Sequence, residues 1–190
     1  MADQLFLSYR LRGFTENNML RHFEKMLRQF PFSRLNTAGS VLIVKAVSWI
    51  EPPLVELPLL DPLDLDIVLA SAKEFATRDC SVQLEAMWDL WQYEKDWELA
   101  PVRVNLTCFG PGFENEEDDH LRIDFGLDLS FLPQPDLPNN AFMAQSNIRS
   151  LLHLVAELDR TLNVESKRLW SDSGENFAER LQWALEATSR

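Results

Sequence analysis

A regular alternation of apolar and polar residues in the middle of the chain constrains the fold more than any other feature. Between residues 121 and 131, every odd position is large and apolar, and every even position is polar or glycine. Residues 82–90 and 102–108 follow nearly the same period of two. That period is typical of a β-strand with one buried and one wet face. The three segments therefore predict an antiparallel meander joined by polar connectors.

The first fifty residues predict a strand, a helix and a second strand. Residues 4–12 alternate with a period of two until Gly13, which ends the strand. Thr15 is a suitable N-cap for the helix that follows, whose apolar residues recur at helical spacing until Pro31. Residues 41–50 are rich in β-branched and aromatic types, which favours a second strand.

Prolines dominate the segment that follows. Residues 51–62 contain four of them, which excludes both a central strand and a helix interior. We therefore expect an extended arm here. Asp61 as N-cap and Pro62 as the first helical residue then predict a helix that ends near Thr77.

Two more helices are predicted in the last third of the chain. Asn139 or Asn140 caps the first, which carries an apolar stripe as far as Leu162, and residues 171–173 cap the second. The sequence therefore predicts an α+β fold in which helices pack on one face of a mostly antiparallel sheet, in two layers. The first ninety residues fit a ferredoxin-like βαβ half, with the meander and the two C-terminal helices appended. Residues 1–190 are predicted to form a single domain.

Charge and composition restrict the class of protein. The formal net charge is −12, which disfavours nucleic acid and anionic membranes as partners. The longest run without a charged residue, 137–148, is too short for a membrane span, and the N-terminal residues do not resemble an export signal. Two cysteines are too few for a disulfide framework and are expected to be free. We therefore expect a cytoplasmic protein.

The charge is unevenly distributed along the chain. Residues 1–34 carry a net charge of +3, and the rest of the chain carries −15. Within the basic segment, Arg21, Lys25 and Arg28 recur on one face of the predicted helix. They are either a contact stripe for an anion or an ordinary solvated helix face near acidic neighbours.

The wet face of the meander offers the candidate binding residues. Carboxylates alternate along two of its predicted strands, and one tryptophan is expected to point to the same side, so the set is Glu85, Asp89, Trp91, Asp124 and Asp128. Clustered carboxylates raise one another's pKa unless they are neutralised. Three roles are open for them: docking a basic partner, holding a cation, or acid–base chemistry. Alternatively, wet-face arginines neutralise them, namely Arg10, Arg12, Arg103 and Arg122.

No motif assigns chemistry to the chain. The acidic segment 109–120 lacks the spacing of a calcium loop and the lysine of a phosphate loop, so we expect a solvated hairpin tip. The three histidines and two cysteines have no zinc-site or nucleophile spacing. The sequence therefore predicts no catalytic residue, no metal and no cofactor.

The hypothesis that fits these observations is a non-enzymatic protein that binds a basic protein partner, in the style of an inhibitor, an immunity protein or a chaperone. One alternative is a pocket protein or a carboxylate-dependent enzyme. Its cavity would lie between the sheet and the first C-terminal helix, lined by Trp88, Phe125, Leu127 and Leu152 with Asp124 or Asp128 at its mouth. Another alternative is self-association through the leucines of the arm.

Overall fold

The computed structural model describes residues 3–35, 38–115, 117–132, 137, 139–172 and 181. As predicted, this part of the chain has an α+β fold, with seven strands in one antiparallel sheet and three α-helices. Short 3₁₀ turns precede α1, at Glu16–Asn18, and follow β6, at Asp128–Ser130. In chain order the elements are β1 (Gln4–Leu11), α1 (Met19–Gln29), β2 (Ser40–Ala46), β3 (Val55–Leu59), α2 (Leu65–Lys73), β4 (Cys80–Tyr93), β5 (Trp97–Phe109), β6 (Leu121–Leu127), α3 (Asn140–Thr161) and β7 (Val164–Ser171).

The strands lie in the order β3-β2-β4-β5-β6-β1-β7, and each neighbouring pair is antiparallel. The predicted meander is confirmed, because β4, β5 and β6 are consecutive in the sheet. The ferredoxin-like half does not form. In a split βαβ unit one strand lies between the two parallel strands, whereas three strands separate β1 from β2 here.

The core lies between the sheet and the three helices, all of which pack on one face. The apolar stripe of α1 is fully buried at Phe23, Met26 and Leu27, and α1 contacts both α2 and α3. The odd-numbered side of β6 and the even-numbered side of β4 supply the opposing layer. Each fully buried side chain of this size contributes roughly 1.5–3 kcal/mol, so the alternation fixes which face is covered.

Three element boundaries differ from the predictions. Helix α2 begins at Leu65, because the side chain of Asp64 accepts a hydrogen bond from the backbone N–H of Asp66 at 2.9 Å. Strand β6 ends at Leu127, where the chain turns into the 3₁₀ segment and buries Phe131 in the core. The strand predicted over residues 41–50 ends at Ala46.

The C-terminal region contains a strand that the sequence did not indicate. Strand β7 follows α3 directly and pairs with β1 at the edge of the sheet. Four consecutive residues of its eight are exposed, so no buried alternation marks it in the sequence. The predicted second C-terminal helix lies outside the described residues, except for Leu181, which is helical and buried.

The opposite edge of the sheet is formed by the proline-rich arm. Its residues 55–59 pair with β2 as the edge strand β3, which agrees with the prediction that prolines exclude a central strand. Leu54 and Leu60, just outside β3, are 59% and 89% exposed, so much of the arm's apolar surface lies in solvent.

The face of the sheet away from the helices is partly covered by the segment between β5 and β6. The backbone N–H of Gly110 donates to Cys80 at 2.7 Å, and that of Glu114 donates to Val47 at 2.8 Å. Phe113 is 5% exposed and packs edge-on against Trp49. The expectation of a solvated hairpin tip holds in part: Glu114, Glu117 and Asp118 are exposed, but backbone bonds and aromatic packing hold the segment against the sheet.

Two predictions about chain chemistry can be compared with the structure. Cys80 and Cys108 are both free, as expected, and both are buried. Burial raises the pKa of the Cys108 thiol well above its usual range. None of the described helices is both long and apolar enough to cross a bilayer.

Candidate binding surface on the open face of the sheet

The face of the sheet that the helices leave uncovered, which we call the open face, is ordered by strand register. One row across it runs Glu85, Asn105, Asp124, Phe6, Trp170, and the next runs Gln83, Thr107, Arg122, Ser8, Arg168. The open face has two parts of opposite character. We call Glu85, Asp89 and Asp124 the carboxylate half, and Arg10, Arg122 and Arg168 the arginine half.

In the carboxylate half, Asp124 is held by neutral donors. Its Oδ1 accepts hydrogen bonds from Gln4 Nε2 at 2.6 Å and from the backbone N–H of Gly126 at 2.9 Å. Its Oδ2 is 3.4 Å from Asn105 Nδ2. These three donors fix the direction of the carboxylate without supplying a positive charge, so within the described part of the chain its negative charge is oriented but not neutralised.

Glu85 and Asp89 lie on β4, and both side chains point to the open face. Arg103 Nη1 is 3.8 Å from Glu85 Oε2, a long contact between two side chains that solvent reaches. Asp89 accepts a hydrogen bond from the hydroxyl of Ser33, and a second from the backbone N–H of Arg34 at 2.8 Å. Asp89 thus fixes the segment after α1 to β4, again through neutral donors.

The other two predicted contact residues differ in position: Asp128 is buried, whereas Trp91 lies two residues beyond Asp89 on the same side of β4. Asp128 is 1% exposed, because β6 has already ended, and it accepts the backbone N–H of Asp3 at 3.2 Å. Trp91 is half-buried, and both its backbone N–H and its carbonyl bond to the side-chain amide of Asn147 on α3, at 2.9 and 3.0 Å. Trp91 lines a cavity of about 210 Å³ together with Ala144 of the same helix.

The alternative cavity between sheet and helix is filled by aromatic rings. Trp88 packs against Phe125 with ring centroids 5.7 Å apart and against Phe131 at 6.2 Å, and all three rings are buried. Leu127 and Leu152, expected to complete the cavity, are 51% and 41% exposed instead. These four predicted lining residues therefore do not surround a pocket.

The cations on α1 are engaged separately. Lys25 Nζ donates to the carbonyl of Thr161 at the end of α3, at 3.3 Å. Arg28 pairs with Glu24 at 2.8 Å and with Asp66 at 3.2 Å, and its hydrogen bond to Glu24 raises its pKa. Arg21 is exposed. This arrangement favours the solvated helix face over a shared anion stripe.

The arginine half is built around a buried carboxylate that the sequence hypothesis did not include. Asp119 is 5% exposed, and its Oδ2 accepts from Ser8 Oγ at 2.7 Å and from Arg122 at 2.8 Å through Nε and 2.7 Å through Nη2. Ser8 in turn accepts a hydrogen bond from Trp170 Nε1 at 3.0 Å. The network joins β1, β6 and β7 with the segment before β6.

Aromatic rings surround these arginines. Phe6 and Trp170 stack with centroids 4.5 Å apart, and the Arg122 guanidinium lies 5.9 and 5.7 Å from the two rings. Arg168 lies 4.6 Å above Trp170. Phe109 closes the other side, 5.2 Å from Arg122. The guanidinium of Arg122 is therefore held by aromatic faces as well as by Asp119.

Three consecutive acidic residues each form an ion pair with one of the three arginines. Glu117 pairs with Arg168, Asp118 Oδ2 is 3.9 Å from Arg10 Nη1, and Asp119 binds Arg122. A cavity of about 310 Å³ lies between these residues and strands β1 and β7. The acidic run and the arginines Arg10 and Arg122 were visible in the sequence. The cavity was not, because it depends on the pairing of β7 with β1.

His120 marks the end of the acidic run, next to β6. Its Nδ1 accepts the backbone N–H of Leu11 at 2.9 Å, and its ring stacks on Phe14 at 4.2 Å. Burial lowers the pKa of His120, with a further contribution from the charge of Arg10. Among the described residues, no group of histidine, cysteine and acidic side chains has the geometry to hold a metal ion.

Comparison of the chain with models of known protein families, with curated proteins and with solved structures yields no match.

Proposed function

We propose that the protein is a non-enzymatic binding protein that docks a basic protein partner on the carboxylate half of its open face. The observation that carries this proposal is the set of donors around Asp124 and Asp89. Both carboxylates are oriented by amide, hydroxyl or backbone groups, and neither forms an ion pair within the described residues. A fixed carboxylate without a contacting cation is a favourable site for a lysine or arginine from another molecule.

The spacing of the carboxylates indicates what the partner must present. Glu85 and Asp124 lie in one row of the sheet with Asn105 between them, so two strand spacings, roughly 10 Å, separate them. A partner with two basic side chains about that far apart can contact both. Arg103, exposed and 3.8 Å from Glu85, can turn aside at little cost.

The charge of the whole chain adds to this local arrangement. A net charge of −12 attracts a basic partner from a distance, so association is faster at low salt and slows as ionic strength rises. Trp91 lies further along β4 and is half-buried, which gives it a place at the rim of the contact. Asp128 is left out of the contact because its carboxylate is buried.

The test compares two triple variants with the same change of charge. The first, Glu85→Gln with Asp89→Asn and Asp124→Asn, removes the carboxylate half. The control, Glu51→Gln with Glu56→Gln and Glu74→Gln, removes three exposed carboxylates from the arm and the end of α2. Each protein is used to capture partners from a lysate of the organism that encodes it, and the captured protein is then titrated calorimetrically.

We expect the wild type and the control to bind one basic protein with similar affinity, and the carboxylate-half variant to lose about tenfold or more. The affinity should also fall as salt is raised. Equal binding by all three proteins, or an acidic partner, would contradict the proposal.

A second candidate function, self-association through the arm, is favoured by a separate observation. Leu60 of the arm is 89% exposed, and Ile50, which directly precedes the arm, is 93% exposed, which is unusual for large apolar side chains. Light scattering at increasing concentration tests it, with Ile50→Ser and Leu60→Ser as variants. A concentration-dependent mass that both substitutions reduce would support self-association, and a monomeric mass at every concentration would exclude it.

A further inference from the structure

We infer that the cavity of the arginine half is a binding site for a small molecule that carries a phosphate group. This inference does not depend on the proposed function, because it concerns the other half of the open face and a ligand of opposite charge. It rests on the convergence of three arginines, on the solvent exposure of the ion pairs that two of them make, and on the volume of the cavity.

The register brings the three arginines around one serine. Ser8 lies directly opposite Arg122 on β6 and opposite Arg168 on β7. Arg10 lies two residues further along β1, on the same face. Residues at such diagonal positions are roughly 7–8 Å apart, a distance that two guanidinium groups can bridge to one anion. The planar guanidinium matches phosphate oxygens in pairs.

The arginines differ in how firmly they are held. Arg122 is 15% exposed and uses both Nε and Nη2 on Asp119, so it is a fixed neighbour of Asp119, which lines the cavity. Arg10 and Arg168 are 48% and 52% exposed. Their contacts with Asp118 and Glu117 are exposed ion pairs, which contribute little to stability and exchange readily.

Residues 117–119 thus bind the three arginines in the place where a ligand anion would bind them. Glu117 and Asp118 lie on Arg168 and Arg10, and the buried Asp119 anchors the segment through Ser8 and Arg122. An incoming phosphate can displace the two exposed carboxylates while the anchor remains in place. A phosphate dianion carries two charges on one centre, so it can satisfy Arg10 and Arg168 together, which single carboxylates do separately.

The remaining lining restricts the size and chemistry of the ligand. Ser166 lies directly opposite Arg10 and is exposed, so its hydroxyl is available as a further donor. Lys167 lines the cavity but pairs with Asp159 on α3. A volume of about 310 Å³ is at the lower end for small-molecule sites, which suits a phosphate on a small organic group.

The experiment titrates the full chain with inorganic phosphate, glycerol 3-phosphate and adenosine monophosphate by isothermal calorimetry at low ionic strength. Citrate is included as a probe that carries carboxylates only. We expect saturable binding with one site per chain, stronger for a phosphate ester than for inorganic phosphate or citrate. Citrate binding as strong as that of both esters would overturn the assignment to phosphate.

Three variants and one control locate the site. Arg10→Gln and Arg168→Gln should each weaken binding about tenfold, because each removes one charge-assisted contact. Glu117→Gln removes the internal competitor and should strengthen binding severalfold. Arg103→Gln, on the same face with the same charge change but outside the cavity, should leave the affinity unchanged.

The gain expected from Glu117→Gln separates the proposal from a merely structural ion pair, since a structural pair predicts no increase in affinity. Circular dichroism confirms that each variant is folded. Equal losses for Arg10→Gln and Arg103→Gln, or no saturable binding by either the wild type or Glu117→Gln, would overturn the inference.

Discussion

Asp119 and Asp124 show how differently the two halves of the open face use a carboxylate. Both accept three hydrogen bonds, and only five positions separate them in the chain. Asp119 is buried and takes two of its bonds from one guanidinium, whereas Asp124 is partly exposed and takes all three from neutral groups. Geometry alone is similar at the two sites, and the charge of the donors is what differs.

This difference separates a carboxylate that stabilises the fold from one that the proposed function assigns to a partner. A buried charge must be compensated inside the protein. Removal of either partner of a buried ion pair leaves the other charge buried and unpaired, which lowers the free energy of unfolding strongly. A charge held at the surface by neutral groups costs little to keep, and its field extends into solvent. The pair of Asp119 and Arg122 therefore helps to hold three strands together, whereas neither Asp124 nor Asp89 has a contacting cation among the described residues.

The largest expected effect on stability comes from the buried carboxylate of Asp119. Asp119→Asn leaves Arg122 without its counter-charge in a nearly buried position, and we expect the free energy of unfolding to fall by about 3–5 kcal/mol. Asp124→Asn is the matched substitution. Its Oδ1 can keep the bonds from Gln4 and Gly126, so we expect a loss below about 1 kcal/mol.

Urea unfolding followed by circular dichroism measures both values. If the two variants lose equal stability, or Asp124→Asn loses more, the separation of structural and functional carboxylates is wrong.

A smaller effect is expected from the segment that carries the acidic run. A Cβ at Gly110 would lie 2.3 Å from the carbonyl oxygen of Arg78 and 2.7 Å from that of Thr77. Gly110→Ala should therefore cost about 1–3 kcal/mol through displaced backbone.

Gly112→Ala is the control, because its Cβ would meet mainly the flexible side chain of Arg78, at 3.2 and 3.3 Å. Thermal unfolding compares the two variants. A Gly110→Ala protein as stable as the wild type would mean that the segment is not tightly held against the sheet.

Lowering the pH should affect the arginine half through His120. Burial lowers its pKa from the ordinary value of 6.5, so the folded protein favours the neutral ring. The neutral His120 ring contributes fully to stability when the pH is above its ordinary pKa. This contribution is lost as the pH falls through the lowered pKa of the folded protein. The free energy of unfolding should therefore decrease between about pH 7.5 and pH 5.5.

His120→Gln should reduce this pH dependence, because it removes the ring whose neutral form the folded protein favours. His22, whose pKa is lowered by burial and by the charges of Lys25 and Arg21, accounts for the remainder in His120→Gln. Urea unfolding at several pH values across this interval measures the pH dependence of the free energy of unfolding. Identical pH dependence in the wild type and in His120→Gln would rule out this role of the ring.

The smallest effect is expected at the exposed ion pairs of the arginine half. Arg10→Gln and Arg168→Gln should each change the free energy of unfolding by less than about 1 kcal/mol, since both side chains are half-exposed. Chemical unfolding at low and high salt checks this. A loss as large as that of Asp119→Asn would place these arginines with the structural network instead.

The sequence predicted the parts of the fold that bury a regular pattern. The alternation of β4, β5 and β6 gave their pairing and their buried sides, and Thr15 and Pro31 bracket the helical region that includes α1. The prediction failed at Asp128, because the alternation continued in the sequence after the strand had ended. It also missed β7, whose exposed residues carry no apolar period.

By itself, the sequence determined the fold class, the covered face of the sheet and the presence of carboxylates and arginines on the other face. Periodic burial is a local property, so it can be read along the chain. Only the tertiary structure decided which charges meet. Asp119, Ser8 and Trp170 are distant in sequence, and the position of β7 beside β1 brings them together. Whether a carboxylate is neutralised or left available depends on those distant donors, which no local pattern records.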